Sequence, residues 1–335
     1  MAAVLVLSAT PTDDEDEGNL APLRVLEQSA VADDLQVHSL TNDPALADVI
    51  LFAEILGAGF YFERVRGHPF VKKYRENCFL FCANDFVIPF LPGIYASIEK
   101  RWSSSRTRAG FYLGEPGAEF LINTPLTDTA AYLYSFVGSI DTAPIRRNLA
   151  SLNHPRGFFH DTAADYQRVL HRKMPAEERR EYHRRYAEIA AASKFILCPR
   201  GRGASSMRLF DTMRIGRAPV ILSDKWVEAV GPCWDRFSVR IAEGEYDRVP
   251  AILEEREIEA AKMGQLARSQ WEEWFSEQVL FHRVVEWCLD IKRQRRIPEK
   301  WAHFAAYIQY LRPFHFRHLL RTRYHAWQRQ RRRVL

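Results

Sequence analysis

This sequence lacks the features that would place it among membrane-spanning or disulfide-stabilised proteins. None of its apolar runs approaches the ~20 residues that a transmembrane helix needs. Its first residues, Met-Ala-Ala-Val-Leu-Val-Leu-Ser, contain no basic segment and lead into an acidic cluster, which is atypical of a signal peptide. Its five cysteines have no CxxC spacing, which indicates reduced thiols. We therefore expect a cytoplasmic protein.

Several motifs of common enzyme classes are absent as well. The chain has no GxGxxG dinucleotide fingerprint, no P-loop lysine followed by Ser or Thr, and no GxSxG nucleophile elbow. The histidines form no convincing ligand set, and no helical HxxxH pair lies beside a carboxylate. We therefore expect neither a bound metal nor a cofactor.

The charge of the chain is strongly polarised. Residues 292–335 contain 13 Lys and Arg and a single acid, Glu299, which gives this tail a local charge of +12. Because the whole chain has a net charge of +5, the remainder carries −7. A basic tail on an acidic body indicates an anionic surface or partner.

Strand-like and helix-like segments alternate along the chain, which predicts an α/β fold. A boundary near residues 123–129 separates a first unit with strands at Val4–Leu7, Asp48–Ala53 and Asn77–Cys82 from a second that begins at Tyr132–Val137. The predicted domains are residues 1–128, residues 129–291 and a basic amphipathic helical tail at 292–335. Within them, 87–95 is expected to be an ordered loop, and the helical region 249–287 is expected to break near Gly264.

The most informative stretch runs from Phe195 to Asp224 and predicts a strand, a glycine-rich loop, a helix and a second strand. Gly201 and Gly203 allow a ligand to approach the loop backbone closely. Ser205 or Ser206 would be the N-cap of the helix, and Gly216 would be its C′ residue. Ligands of open α/β sheets bind at the carboxyl ends of the strands. The helix N-terminus, Arg200 and Arg202 therefore lie where a phosphate would bind.

Two charged residues of this helix, Arg208 and Asp211, lie three positions apart and share a face, whereas Leu209 and Met213 face the sheet. The arginine would neutralise a pyrophosphate, and the carboxylate would accept hydrogen bonds from ribose hydroxyls. An intrahelical ion pair on a solvated face explains the same spacing, and the spacing alone does not decide between the two interpretations.

This stretch resembles the exostosin domain of glycosyltransferase family 47. The family pattern CPRG…S.R..EA...G.VPVI.SD is matched by Cys198-Pro-Arg-Gly201, by Ser206-Met-Arg208 and by Gly216-Arg-Ala-Pro-Val-Ile-Leu-Ser-Asp224. Trp226, Trp234-Asp-Arg-Phe-Ser-Val239 and Trp271-Glu-Glu-Trp-Phe275 follow in family order. The resemblance extends from about Tyr132 to Ile291.

The resemblance implies a GT-B fold, in which two Rossmann-like domains face each other across a cleft, here with added C-terminal helices. It also implies inverting transfer without a DxD-bound metal. The resemblance and the loop pattern together predict a set of donor-binding residues. They are Arg200, Gly201, Arg202, Gly203, Ser205, Ser206, Arg208, Asp211 and Asp224. Asp211 replaces the usual Glu and has about one methylene less reach, and Asp224 would either line the donor pocket or cap its loop.

Inverting transfer needs a base that deprotonates the acceptor hydroxyl, and this base should come from the first domain. Asp85, Glu115 and Glu54 follow probable strands of that domain. Glu115 is our first choice for the catalytic base and Asp85 our second. Simple solvation of these carboxylates in loops is the alternative.

Residues 314–335 interleave aromatic and arginine side chains, a pattern with three interpretations. The tail could bind an anionic membrane surface, which would make the protein peripheral on the inner face of a membrane. It could instead pack back on the first domain with its arginines solvated. Nucleic-acid binding is the interpretation that we rank last.

Together these features predict an inverting, metal-independent glycosyltransferase of polysaccharide synthesis. Its donor would be a nucleotide-sugar, with a UDP-sugar favoured, and its acceptor a hydroxyl of a glycan or lipid-linked glycan. One alternative is a GT-B transferase of another family, such as one using GDP-fucose. The other is a non-catalytic subunit that binds a nucleotide-sugar or glycan.

Overall fold

The structure of this chain is a computed structural model that describes residues 1–11, 17–55, 59–85, 87–114, 117–127, 130–170 and 173–332. Its described strands fall into two parallel sheets, the first built from residues 3–109 and the second from residues 132–240. Helices alternate with the strands in both parts. The predicted α/β architecture with two Rossmann-like domains is therefore confirmed.

Within the described ranges, the first sheet has the strand order β2-β1-β3-β4-β5-β6 with every neighbouring pair parallel. Its strands are β1 (Ala3–Leu7), β2 (Ser39–Leu40), β3 (Val49–Glu54), β4 (Cys78–Cys82), β5 (Gly93–Tyr95) and β6 (Thr107–Ala109). Its helices are α1 (Ala21–Val31), α2 (Glu63–Gly67) and α3 (Pro69–Lys73). Strands β3 and β4 are buried along their whole length, as expected for parallel strands covered on both faces.

The second sheet is also parallel, with the order β11-β10-β9-β7-β8 among the described strands. Its strands are β7 (Tyr132–Gly138), β8 (Gly157–Asp161), β9 (Ser193–Pro199), β10 (Ala218–Leu222) and β11 (Val239–Arg240). Its helices are α4 (Pro144–Leu149), α5 (Ala163–Leu170), α6 (Ala176–Ala191), α7 (Met207–Arg214), α8 (Val249–Glu255) and α9 (Ala260–Trp274).

The two sheets share one connectivity. Numbered from its own first strand, each begins with the order 2-1-3-4-5. In this doubly wound arrangement the chain reverses direction between the first and third strands, which opens a crevice at their carboxyl ends. We call these places the first switch point, between β1 and β3, and the second switch point, between β7 and β9.

Two expectations from the sequence are wrong, and glycine explains both. Residues 87–95 are not entirely a loop, because Gly93–Tyr95 forms strand β5. Gly93 has a φ of +155°, and a Cβ there would lie 2.0 Å from the Leu80 carbonyl oxygen. Gly264 does not break the helical region but lies inside α9, where a Cβ would lie 2.4 Å from the Gly216 carbonyl oxygen. Both glycines permit close packing rather than a turn.

Aromatic packing joins the two domains. The ring of Phe111, just after β6, lies 5.7 Å from that of Phe210 in α7 and 5.0 Å from that of Phe275. The loop before α7 also reaches the first domain, because the Ser205 amide donates a 3.1 Å hydrogen bond to Ser97 Oγ. We call residues 200–206, between β9 and α7, the donor loop. The two domains meet at this loop, in agreement with the predicted GT-B architecture.

The last helices return to the first domain. They are α10 (Glu277–Arg293), α11 (Glu299–Ala306) and α12 (Pro313–Arg332). Buried Glu299 forms a 2.6 Å ion pair with Arg106, and Tyr61 Oη lies 2.6 Å from the Nδ1 atom of buried His315. One face of the tail thus packs on the first domain, as one interpretation of the sequence predicts. No described helix combines the length and the apolar character needed to cross a membrane.

Candidate functional site

The loop between β9 and α7 lies at the second switch point. Its backbone is fixed at its start, because the Arg200 amide donates to the Leu222 carbonyl and the Gly201 amide donates to the Ser205 carbonyl. Ser206 occupies the N-cap position with extended dihedral angles, but its hydroxyl does not cap the helix. The N-terminus of α7 therefore faces the crevice with its amide groups and with a free hydroxyl.

Among the described residues, three buried hydroxyls near this point have no hydrogen-bond partner. Two belong to Ser205 and Ser206 of the loop, and the third belongs to Ser139, which follows β7. Leaving a buried polar group unpaired costs about 1–3 kcal/mol, so a ligand that paired with these hydroxyls would be stabilised. Hydroxyls and helix amides are suitable donors for the oxygens of a phosphate.

Arg208 brings a positive charge to the same crevice. Its Nε donates a 2.5 Å hydrogen bond to the Val137 carbonyl, and its guanidinium lies 5.2 Å from the ring centre of Phe136. Gly138 makes room for it, since a Cβ there would lie 2.1 Å from Arg208 Nη2. In the described part of the chain no ion pair joins Arg208 to Asp211, although the charge of Arg208 acts to lower the pKa of that carboxyl. The intrahelical ion pair considered from the sequence is therefore not formed, and the charge can serve a ligand.

Arg146 is a part of the site that the sequence did not reveal. It lies in α4, is only 6% exposed, and donates to the carbonyls of Ser139, Pro199 and Arg200 at 3.2, 3.2 and 2.9 Å. Burial and, secondly, the charge of Arg208 lower its pKa to about 9, so that it remains charged at neutral pH. It holds the ends of β7 and β9 together and adds positive potential behind the loop.

The Asp211 carboxylate accepts a 3.1 Å hydrogen bond from the Tyr186 hydroxyl through Oδ2. Burial raises its pKa to about 6, against the opposing effects of Arg208 and of this hydrogen bond. Tyr186 also lines a cavity of about 170 Å³ at the carboxyl ends of β7 and β8, together with Val137 and His160. The Asp211 carboxylate therefore lies between Arg208 and Tyr186, a residue that lines this cavity.

The other predicted donor residues are arranged differently. Arg200 forms a 2.8 Å ion pair with Glu243, and Asp224 accepts a hydrogen bond from the Glu243 amide at 3.1 Å. Asp224 thus caps a loop, the alternative raised from the sequence, and its role in ligand binding stays a prediction. Arg202 is exposed, and the described residues offer it no ion-pair partner. Gly201 backs onto Arg146, because a Cβ there would lie 3.3 Å from its guanidinium.

The first domain contributes a carboxylate to the opposite side of the loop. Asp85 follows β4 and accepts a 2.6 Å hydrogen bond from the Tyr112 hydroxyl. A Cβ on Gly203 would lie 2.7 Å from Asp85 Oδ1 and 1.9 Å from Ser97 Oγ, so the loop passes directly against both. Burial raises the pKa of Asp85, while the hydrogen bond from Tyr112 and nearby Arg146 act to lower it. The other predicted base, Glu115, lies outside the described residues.

Comparison with known proteins confirms the resemblance seen in the sequence. The family model for the Exostosin GT47 domain matches residues 122–256, which stops short of the Trp271–Phe275 segment. An Exostosin-1 homolog from Caenorhabditis elegans is 37% identical over 76 residues, or 22% of this chain and 20% of that protein. The chain thus matches about a fifth of the length of this relative.

Two solved structures align with most of the chain. Acinetobacter baumannii MurG covers 85% of this chain and 100% of its own at 11% identity, with a TM-score of 0.42. Anabaena Alr3699/HepE in complex with UDP covers 85% of this chain and 99% of its own at 11% identity, with a TM-score of 0.38. Both similarities are distant.

Proposed function

We propose that this protein, which carries an Exostosin GT47 domain over residues 122–256, is a glycosyltransferase that uses a nucleotide-sugar donor. The observation that carries the proposal is the set of unpartnered donors at the second switch point. Among the described residues, the buried hydroxyls of Ser139, Ser205 and Ser206 have no hydrogen-bond partner, and they belong to the segments after β7 and before α7, the helix that carries Arg208. A diphosphate satisfies all of them at once.

In this proposal the diphosphate of the donor lies against the loop and is the leaving group. Negative charge grows on it as the bond to the sugar breaks, and the positive charges of Arg208 and Arg146 with the helix dipole stabilise that charge. This arrangement supplies the positive charge that other transferases take from a metal, which supports metal-independent transfer. The nucleoside extends toward Asp211, whose carboxylate accepts hydrogen bonds from the ribose hydroxyls. The nucleobase enters the cavity beside Tyr186.

The base for an inverting reaction is Asp85, on the opposite side of the loop. Its carboxylate takes the proton of the acceptor hydroxyl while the acceptor oxygen forms its bond to the anomeric carbon. The bond between that carbon and the diphosphate breaks on the opposite face, so the nucleoside diphosphate leaves with both bonding electrons. The raised pKa of Asp85 makes it a stronger base than a solvated carboxylate.

The donor is tested by titrating the protein with UDP-, GDP-, CMP- and dTDP-linked sugars and measuring heat and thermal stability. A UDP-sugar is expected to bind best, because the family resemblance favours it. Release of free sugar or transfer to a glycan then distinguishes an enzyme from a non-catalytic binding subunit, which would bind the donor without consuming it. Binding of a GDP-sugar alone would favour a different transferase family. The absence of any nucleotide binding would overturn the proposal.

The tail is proposed to hold the enzyme on an anionic lipid surface, where a lipid-linked glycan acceptor would be found. Its face away from the first domain carries an apolar stripe at helical spacing, Trp301, Phe304, Ile308 and Leu311, with each side chain 63–78% exposed. The stripe is flanked in sequence by Lys300 and Arg312 and belongs to a segment of net charge +12. Exposed apolar side chains on a basic segment are the pattern of interfacial helices.

Sedimentation with vesicles tests the lipid proposal. The full chain should sediment with phosphatidylserine-containing vesicles and much less with pure phosphatidylcholine vesicles, because the attraction is electrostatic as well as apolar. Replacing Trp301 and Phe304 by Ser should release it. A paired control that replaces exposed Ile258, which lies on the second domain, by Ser should not. If both variants bind the vesicles equally, the tail is not the segment that binds lipid.

A further inference from the structure

We propose that His38, His282 and Glu286 form a binding site for one transition-metal ion, zinc in preference, that has a structural role. Two imidazoles and a carboxylate are ligands that zinc accepts, with a fourth position left to water or to another side chain. This site is separate from the proposed sugar-transfer site and does not depend on it. Neither the sequence spacing of single histidines nor the family resemblance predicts it.

The geometry of the three side chains carries the proposal. Their ligand atoms all lie within 4.8 Å of one another. His38 Nε2 is 3.2 Å from Glu286 Oε1, and the rings of His38 and His282 have centres 5.0 Å apart. Zinc bonds of about 2.0–2.2 Å place neighbouring ligand atoms about 3.5 Å apart, so small side-chain rotations close the site. His282 and Glu286 are four residues apart on α10 and therefore share a face.

Unsatisfied buried nitrogens are the second observation. The His38 side chain has no exposed surface, and among the described residues its Nδ1 has no hydrogen-bond partner, while its Nε2 faces Glu286 Oε1 at 3.2 Å. Nδ1 of His282 is also buried without a partner, as is Oδ2 of nearby Asp33. A metal ion would satisfy the imidazoles.

The position of the cluster in the fold indicates what the ion does. His38 directly precedes β2, at the amino edge of the first sheet, whereas the donor loop meets the carboxyl ends of the strands. Around the cluster, Ser29 Oγ accepts a 2.8 Å hydrogen bond from the Phe281 amide, and the Asp34 amide donates to the Gln278 carbonyl. The ion would therefore clamp α10, which follows the second domain in the chain, to the first domain.

The experiment titrates chelator-treated full-length protein, purified without a histidine tag, with Zn²⁺ in competition with a chromophoric chelator. Co²⁺ replaces Zn²⁺ in a parallel titration, because its visible spectrum reports the coordination geometry. One equivalent should bind, and Zn²⁺ should raise the midpoint of thermal unfolding. His282→Gln and Glu286→Gln should each weaken binding by at least about 100-fold, because even the loss of an outer-shell partner costs 10–100-fold.

His154→Gln is the matched control. His154 Nε2 lies 3.0 Å from Glu254 Oε1, a second His–Glu pair in which the histidine is buried and the carboxylate exposed, and the described residues place no other imidazole in a cluster with it. This variant should bind Zn²⁺ as the wild type does. Cooperative urea unfolding in the presence of EDTA verifies that every variant folds. The proposal is overturned if the wild type binds no stoichiometric Zn²⁺ or Co²⁺, or if His282→Gln binds as tightly as the wild type.

Discussion

The two switch points share one strand order but differ in how their polar groups are satisfied. At the first, Glu54 ends β3, is 0% exposed, and accepts hydrogen bonds from the Ser8 hydroxyl, the Ala9 amide and the Thr10 hydroxyl. At the second, among the described residues, the hydroxyls of Ser139, Ser205 and Ser206 have no hydrogen-bond partner, and Arg208 donates to a backbone carbonyl rather than to a carboxylate. The first crevice is thus closed by its own carboxylate, and the second is left to a ligand.

This difference teaches that strand order places a crevice but does not make it a binding site. Glu54 ends strand β3, and its three hydrogen bonds give it a structural role. Asp85 follows the neighbouring strand β4, accepts a single described hydrogen bond, from Tyr112, and lies directly against the donor loop. The distinction between these two carboxylates is therefore visible in their partners and not in their positions along the sequence.

The largest effect is expected from Asp85→Asn. Loss of a positioned base should lower kcat/KM by about 10²–10⁴-fold, while the nucleotide affinity stays unchanged. In the wild type the rate should rise with pH through the pKa of Asp85, since only the ionised carboxylate accepts a proton. Asp247→Asn, an exposed change in the second domain, is the control. Full activity of Asp85→Asn would exclude Asp85, and the same assay on Glu115→Gln would then test the remaining predicted base.

Removing the positive charge at the second switch point is expected to have the next largest effect. Arg208→Gln deletes charge-assisted hydrogen bonds to the diphosphate, worth about 1.5–3 kcal/mol, so calorimetry should give a nucleotide affinity about 10–150-fold weaker. Arg248→Gln removes an exposed arginine paired with Glu245 in the same domain and should change nothing. An unchanged affinity in Arg208→Gln would mean that the diphosphate binds elsewhere.

Glu54→Gln should have the opposite pattern of effects. The amide cannot accept all three hydrogen bonds, so the free energy of unfolding measured in urea should fall by about 1–3 kcal/mol. The affinity for nucleotide should remain that of the wild type, because the hydrogen bonds of Glu54 lie within the first domain and not at the donor loop. A large loss of affinity with normal stability would show that the first switch point takes part in donor binding. That result would contradict the difference proposed between the two switch points.

The smallest predicted effect is the pH dependence contributed by Asp211. Its pKa of about 6 means that the carboxylate which accepts ribose hydroxyls is formed as the pH rises through 6. Affinity for a UDP-sugar, whose diphosphate does not titrate in this range, should be about tenfold higher at pH 7 than at pH 5. Asp211→Asn should remove this dependence. If the wild-type affinity is the same at pH 5 and pH 7, Asp211 does not contact the ligand.

The sequence predicted the local structure of the donor loop well, because that structure depends on neighbouring residues. Gly216 has a φ of +72° and ends α7 as a C′ glycine, as its position after the helical pattern indicated. Leu209 and Met213 are buried against the sheet, as their spacing required. Strand β9 is likewise present where an apolar run ending at a proline predicted it.

The parts that escaped prediction depend on contacts between distant residues. Arg146 is one charged residue of a short helix, and only the fold brings it under Arg200 and Ser139. Strand β8 was missed because an edge strand of partly buried residues gives a weak pattern. The pairing of Glu54 with residues 8–10 and the cluster around His38 likewise join segments far apart in the chain.

A structure of the protein bound to UDP tests the central claim most directly. The account predicts the β-phosphate at the second switch point, with its oxygens about 3 Å from the hydroxyls of Ser205 and Ser206 and from the guanidinium of Arg208. The ribose hydroxyls should donate hydrogen bonds to the Asp211 carboxylate. A diphosphate bound at the first switch point, or a second switch point that remains empty at saturating UDP, would contradict it.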